Sequence, residues 1–348
     1  IPNKLTTDAP FDLDGSASSG LGVVYEIVSG PATVSGNTVT LDGVAGEVTV
    51  KASQPGDGTF QPADDLLNSF QVIDPGTFAP VVEARSPLAG DVHVPTLIPI
   101  QLAAIADIGF PEIFSVQSLS FEVNGETVEA TDWNNGHYTA WWTPPSYGNF
   151  TVKITASSNM GASITENVNI TIVDSSSDTD VLAADDIWLN TGNPTETVQA
   201  EVPSFQAAFS TITATLDVNC PTGGCGEWDR VASIDAKGHN GEWIEIFRYI
   251  TPYGVACSHT IDLTDFASIL QGKVAFRLNC GTLDNGFLYD LTISYEAGTP
   301  EYPYSSVTTL WNETYAFGDP DNLQPVDPVT ISYPANAVAS TLKLVSSG

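Results

Sequence analysis

Apolar and polar residues alternate along this chain in runs of four to six, and nearly every run stops at Gly, Pro, Asn or Asp. Val24-Tyr25-Glu26-Ile27-Val28 ends at Gly30-Pro31, and Ala32-Thr33-Val34-Ser35 ends at Gly36-Asn37. Thr38-Val39-Thr40-Leu41 and Glu47-Val48-Thr49-Val50-Lys51-Ala52 follow. A period of two suits a half-buried strand and is incompatible with one face of a helix. Runs this short, each closed by turn residues, predict an all-β protein of stacked sandwiches. The 348 residues are too many for one sandwich and suit three domains of roughly 100 residues each. A hydrophobic fraction of 42% is ample for packed cores.

Residues 1–74 read as one small sandwich. The stretch Ser-Gly-Pro-Ala-Thr-Val-Ser-Gly-Asn-Thr-Val-Thr-Leu, 29–41, resembles a bacterial immunoglobulin-like repeat of the kind found in secreted proteins of Bacteroidetes. That repeat carries no enzymatic activity. Asp74-Pro75-Gly76 and Ala79-Pro80 mark a boundary. Residues 80–174 read as a second immunoglobulin-like domain, with strands over Ser118–Val123, Tyr138–Trp142, Phe150–Ala156 and Val168–Val173. Trp133, Trp141 and Trp142 serve core and corner packing here, with a sugar-binding platform as the alternative. The polar run Asp174–Asp178 is a linker. Residues 181–299 form a third β region, whose one helical hint is Asp262–Leu270, a turn or two capped by Thr or Asp. Beyond Pro300, Thr330–Tyr333 and Ser340–Val345 are strand candidates, so 300–348 reads as the incomplete start of a fourth domain. The abrupt Ile1-Pro2-Asn3 start suits a processed or trimmed chain.

Acidic residues outnumber basic ones 42 to 10, a net charge of −32. That excludes nucleic acid as a natural partner and disfavours anionic membrane surfaces. No stretch is apolar and long enough to span a membrane. No cofactor is expected. Structural calcium on acidic loops is the one metal considered, and Asp12-Leu13-Asp14-Gly15 is only a fragment of a calcium loop. All four cysteines fall between 220 and 280, and three pairings are possible. The most economical is Cys220–Cys225 with Cys257–Cys280. Zinc is disfavoured, because the spacing is long and His239 and His259 are isolated. An even cysteine count in a β-rich chain points to an oxidising, extracellular or cell-surface location.

The chemistry concentrates in Cys220-Pro-Thr-Gly-Gly-Cys225-Gly-Glu227-Trp228-Asp229-Arg230. A disulfide across Cys220 and Cys225 would staple a tight loop ahead of a strand. On that strand Glu227 and Asp229 would share one face, with Trp228 opposite. Neighbouring carboxylates disfavour each other's ionisation, and Arg230 could hold one charged and oriented. Such a constellation can activate water for hydrolysis. A solvated acidic pair beside a structural Trp is the plainer reading of the same residues.

Further on come Gly241-Glu242-Trp243-Ile244-Glu245-Ile246-Phe247-Arg248-Tyr249-Ile250-Thr251-Pro252-Tyr253, then Ile261–Phe266 and Gly298-Thr299-Pro300-Glu301-Tyr302. In this order and spacing, residues 181–315 resemble the N-terminal jelly roll of the peptide-N-glycosidase F family. The fold class expected is therefore all-β: two immunoglobulin-like sandwiches, a jelly-roll sandwich and the start of a second jelly roll. The resemblance implies a metal-free hydrolase of the peptide-N4-(N-acetyl-β-glucosaminyl)asparagine amidase type. It makes Asp229 the principal carboxylate, with Glu227 a weaker candidate. Trp228, Arg230, Trp243 and Arg248 become substrate-binding candidates. Two family glutamates are not matched. One belongs near Cys280 and Thr282, where no acid occurs from Lys273 to Leu283; the other belongs to the second jelly roll.

This chain alone is accordingly expected not to hydrolyse, acting in glycan or glycoprotein recognition or, within a full-length parent, in N-glycan amide hydrolysis. Its partners would be glycans or glycoproteins, other copies of itself, or the missing C-terminal part of its own chain. The alternative is a non-catalytic surface protein, an adhesin, stalk or filament component that uses its sandwiches for spacing and assembly. Asn149, Asn169 and Asn312 begin sequons that are incidental in a bacterium.

Overall fold

The computed structural model describes residues 1–281, 284–311 and 328–343. It is all-β, and among the described residues the helical pieces are two 3-10 turns, Gln206–Ala208 and Thr264–Phe266. The second is the single turn expected near 262–270, and the Asp262 carboxylate accepts the Thr264 N–H at 2.9 Å. The alternating runs are strands, as in Gly46–Gln54, where Val48 and Val50 are buried and Glu47 is exposed. Thr330–Tyr333 and Ser340–Lys343 are not strands. Their apolar side chains Ile331, Tyr333 and Leu342 stay exposed, so no buried face rewards the alternation. Leu344 and Val345 lie outside the described residues, as do Thr282, Leu283 and Asn312.

The chain divides into two compact units. The first comprises Ile1–Val82, Ala106–Leu119 and Thr155–Thr165. It contains a four-stranded sheet in the order Lys4–Leu5, Ala63–Ile73, Gly46–Gln54, Val24–Ser29, and a three-stranded sheet in the order Phe11–Asp12, Thr38–Leu41, Ala32–Ser35. Val39, Val48, Val50 and Phe70 form its main core, with Phe11 edge-on to Phe70 at 5.8 Å.

The second unit comprises Glu83–Ile105, Ser120–Ile154 and Glu166–Gly348. Its last part is built of eight strands, labelled here in chain order: β1 Thr179–Leu189, β2 Thr195–Val202, β3 Phe209–Asn219, β4 Val231–Lys237, β5 Trp243–Ile250, β6 Cys257–Asp262, β7 Gly272–Cys280 and β8 Phe287–Ala297. They form two four-stranded sheets in the orders β1-β8-β3-β6 and β2-β7-β4-β5, the arrangement of an eight-stranded jelly roll with two Greek keys. Alternate residues fill the sandwich: Leu216, Phe276, Phe287, Tyr289, Leu291 and Ile293 are wholly buried, each worth roughly 1.5–3 kcal/mol of transfer free energy.

Strand order fixes where the loops go. Connections β1–β2, β3–β4, β5–β6 and β7–β8 gather at one end: Thr191 N–H reaches the Asp284 carbonyl, Gly226 N–H the Gly286 carbonyl, and Gly254 N–H the Gly226 carbonyl. The opposite end is gripped within the same unit. There His239 lies against Gln101 and Gln271, Asn135 donates to the Asn240 carbonyl at 2.7 Å, and Lys273 pairs with Glu83 at 2.5 Å. Gly272 adopts φ +70°, and a Cβ there would stand 2.1 Å from the Arg85 carbonyl, so glycine is required at this contact.

Candidate functional site

The loop 220–230 connects β3 to β4 and contains the Glu-Trp-Asp-Arg motif. Cys220 and Cys225 are joined by a disulfide. Asn285 clamps the stapled turn from outside, donating to the Gly224 carbonyl at 2.6 Å and the Thr222 carbonyl at 3.4 Å. Gly226 follows in a space too small for any side chain: a Cβ would meet Asp284 Oδ1 at 2.7 Å. The Asp284 carboxylate accepts the Glu227 N–H at 3.1 Å and the Gly286 N–H at 3.0 Å. Arg230 N–H donates to Thr251 Oγ1 at 2.8 Å, and the Thr251 N–H returns to the Arg230 carbonyl at 2.9 Å.

These bonds correct one expectation. Residues 227–230 belong to no strand, because their backbone partners come from 251–254 and 284–286 rather than from a ladder. The β4–β5 ladder starts only at Val231 and Ile250. Glu227, Trp228 and Asp229 are presented together on a braced loop, all exposed. Tyr253 joins them. Its ring meets Trp228 edge-on at 6.5 Å, and the Asp229 carboxylate, hydrogen-bonded to its phenol, pushes that phenol above its ordinary value. Arg230 is half-buried, with Nε buried and without a hydrogen-bond partner among the described residues. The grouping offers an exposed carboxylate with a phenol beside it, two exposed rings and a guanidinium. It can accept hydrogen bonds from amide or hydroxyl groups and stack on ring faces.

Trp243 is not brought to this loop, whereas Arg248, paired with Ser233, stands two residues from the loop end of the β4–β5 ladder. Trp243 pairs with Lys237, six residues along β4 from Val231, roughly 20 Å at strand rise. The Arg277 guanidinium lies 4.5 Å from the centre of its ring and Lys237 Nζ 5.7 Å. Arg248 is chelated by Glu245, Nε to Oε1 at 2.9 Å and Nη2 to Oε2 at 2.6 Å, and that hydrogen bonding raises its pKa. Both belong to a polar network on the β2-β7-β4-β5 sheet. At its centre buried Asp235 accepts from Arg277 at 2.9 Å and Asn279 at 3.0 Å.

The expected Cys257–Cys280 bridge is also corrected: both residues are thiols. Cys257 lies on β6 of one sheet and Cys280 on β7 of the other. Cys257 Sγ is 3.4 Å from His259 Nε2. Cys280 is paired with Ala232 at the loop end of β4 and points into the sandwich, 1% exposed. Of the two positions near which the family resemblance places a glutamate, Cys280 faces the core, and Thr282 lies outside the described residues. Asp284, the next acid along the chain, braces the loop with its carboxylate.

Of the other tryptophans, Trp142 is core and packs on Phe150. Trp133 is tied to Thr139 Oγ1 at 3.0 Å, and Trp141 packs edge-on to Tyr304. Asp12 of the calcium-loop fragment accepts the Thr38 hydroxyl at 2.6 Å. Among the described residues, no three His, Cys, Asp or Glu side chains converge as metal ligands, and no helix is long and apolar enough to cross a membrane. Sequence reasoning passed over Tyr253, Asp284 and Trp188. Asp284-Asn285-Gly286 has turn composition that could have flagged a structured loop; nothing local singles out Trp188.

No family model matches the chain. It is 36% identical over 115 residues to peptide-N(4)-(N-acetyl-beta-D-glucosaminyl)asparagine amidase F of Elizabethkingia miricola, an alignment covering 31% of this chain and 32% of that protein. A crystal structure of peptide-N(4)-(N-acetyl-beta-D-glucosaminyl)asparagine amidase matches at 31% identity, covering 36% of this chain and 44% of the other, with a TM-score of 0.35. PNGase F, a glycosylasparaginase from Flavobacterium meningosepticum, matches at 30% identity, covering 37% and 45%, with a TM-score of 0.36. Part of this chain is therefore similar to amidase F, and the chain spans about a third of that curated relative's length.

Proposed function

We propose that residues 181–299 are a glycan-recognising module of the N-glycan amidase type, carried by a secreted or cell-surface protein in which 1–74 and 80–174 are immunoglobulin-like spacers. The carrying observation is the braced loop that exposes Glu227, Trp228 and Asp229 together, in a chain 36% identical to amidase F over 115 residues. On this reading Asp229 accepts hydrogen bonds from the amide or hydroxyl groups at the glycan–asparagine junction, Trp228 and Tyr253 flank the sugar, and Arg230 supplies a positive group beside it.

Recognition without hydrolysis is the form favoured for this chain. General-base attack on an amide needs a carboxylate for the water and an acid for the leaving nitrogen. Asp229 can serve as the first. Asp284 is already committed to two backbone N–H groups, and position 280 carries an inward thiol. The test is treatment of a denatured N-glycoprotein with this chain, followed by glycan release and mobility analysis, alongside calorimetric binding of a glycopeptide. Binding without release, weakened in Asp229→Asn, supports the reading. Neither binding nor release would refute it and leave the sandwiches a purely structural role.

A further inference from the structure

Trp188 is nearly half exposed, 46%, at the loop end of β1. A large indole in that position is a cost unless something covers it. The route the chain takes to place it is unusual. Strand β1 pairs with β8 through two register shifts, between Leu182 and Ala184 and between Ala184 and Ile187. Each inserts one extra residue, so the second restores the parity the first disturbed. Leu189 returns to the core and Trp188 to the surface. Asp186, at the second shift, takes the left-handed φ of +50°, which non-glycine residues rarely adopt. Its N–H is held by Asp290 Oδ1 at 2.7 Å.

The indole is then tied to the loop cluster of the site. Trp188 Nε1–H donates to the Asn285 carbonyl at 2.8 Å. Asn285 is the residue that clamps the disulfide turn through the Gly224 carbonyl, and its neighbour Asp284 holds the Glu227 N–H. The polar edge of the ring is fixed against protein while the ring remains in solvent. Trp228 is 57% exposed and Tyr253 61%, in contact with each other. Three exposed rings are thus carried by, or tied to, one braced loop cluster that also carries Asp229. Exposed rings tied to a braced loop that also offers a carboxylate suit a ligand that is apolar on its ring faces and hydroxylated at its edges. A pyranose has that chemistry. A nucleotide's base shares the flat face, but its phosphates would meet a chain of net charge −32.

We propose that Trp188 is a further binding residue of the Asp229 site, a stacking surface for a second sugar of a saccharide whose first sugar lies at Trp228 and Tyr253. The inference rests on the glycan-recognition reading of this loop and extends it from one sugar to an oligosaccharide. Its test uses calorimetric titration of the whole chain with an N-glycosylated peptide, with the same peptide bearing a single N-acetylglucosamine, and with the bare peptide. Trp188→Ala is expected to weaken binding of the full glycopeptide about tenfold and to leave the single-sugar peptide unchanged. Trp188→Phe keeps a ring but not the N–H bond to Asn285, and is expected to retain most of the affinity. If Trp188→Phe loses as much as Trp188→Ala, the residue acts as a loop tether and the proposal fails. It fails equally if Trp188→Ala binds the full glycopeptide like the unmodified chain, in which case the reading of the Asp229 loop still stands. Equal affinity for the bare peptide would make the surface a protein-binding one. No binding of any glycopeptide would overturn the reading of the loop together with the proposal.

Discussion

His239 lies in the β4–β5 connection, 6% exposed. Its Nδ1 faces Gln101 Oε1 at 3.1 Å and its Nε2 faces the Gln271 carbonyl at 2.9 Å. Arg85 and His137 are the other ionisable groups acting on it. Burial dominates and drives its pKa from 6.5 to about 4, against the pull of the Gln271 carbonyl. His137 is also lowered, first by burial and then by Lys237 and Arg85, with the His239 backbone and Glu83 opposing. The sign follows from proton counting. Between pH 6.5 and 4 the unfolded chain holds a proton on residue 239 and the folded chain does not, so stability rises with pH. The contribution is complete above the unfolded value and is lost as pH falls towards the folded one. At 1.36 kcal/mol per pKa unit, the full effect is about 3 kcal/mol, of which about 2 kcal/mol is gone by pH 5. His239→Gln keeps a buried hydrogen-bonding group and removes the titration. All seven tryptophans, Trp133 to Trp311, belong to the second unit, so tryptophan fluorescence follows the unfolding of that unit alone. Urea unfolding at pH 7.5 and 5.0 should show the unmodified chain losing about 2 kcal/mol more than His239→Gln on acidification. The comparison between variants cancels the relief of acidic self-repulsion that both share. Equal losses would refute the assignment of this histidine as a buried neutral group.

Other outcomes follow from the loop and the sheet. Gly226→Ala should destabilise by about 1–3 kcal/mol and displace Asp284, because the new methyl meets Oδ1; amide exchange at Glu227 and Gly286 checks this. Asp235→Ala should cost about 2 kcal/mol in urea unfolding, less than a fully buried pair, since Arg277 retains partial solvent contact and a ring face of Trp243. Asp229→Asn should leave the unfolding midpoint unchanged while weakening glycopeptide binding, because the carboxylate is exposed and the loop is held by other groups.

The strands were legible because period-two alternation is a local property, and Gly46–Gln54 and Gly148–Ser158 show it in their burial. The site was legible in composition but not in conformation. Glu227 and Asp229 looked like neighbours on a strand, and the residues that forbid a strand there, Asp284 and Gly286, lie about sixty positions along the chain. The distance of Trp243 from the loop and the pairing of Arg248 with Glu245 were hidden for a related reason. Their neighbours Arg277 and Glu245 are set by sheet order and a bulge after Ile234, neither of which spacing reveals. Cysteine count suggested Cys257–Cys280, but both residues are thiols. Trp188 was invisible because its role depends on two register shifts that cancel.

The contact of Gly272 with the Arg85 backbone has a consequence for how the jelly roll is mounted. With no side chain between them, the two backbones meet as a seat rather than a hinge, and Lys273–Glu83 and Asn135–Asn240 keep the seat from turning. The loop end stands a strand's length away, roughly 25 Å. Whatever meets Asp229 is therefore offered a surface of fixed bearing. Its aim is set by the polypeptide that carries the seat and not by a swivel at the linker Asp174–Asp178. Exchanging this jelly roll for another at that linker would transfer the loop but not its aim.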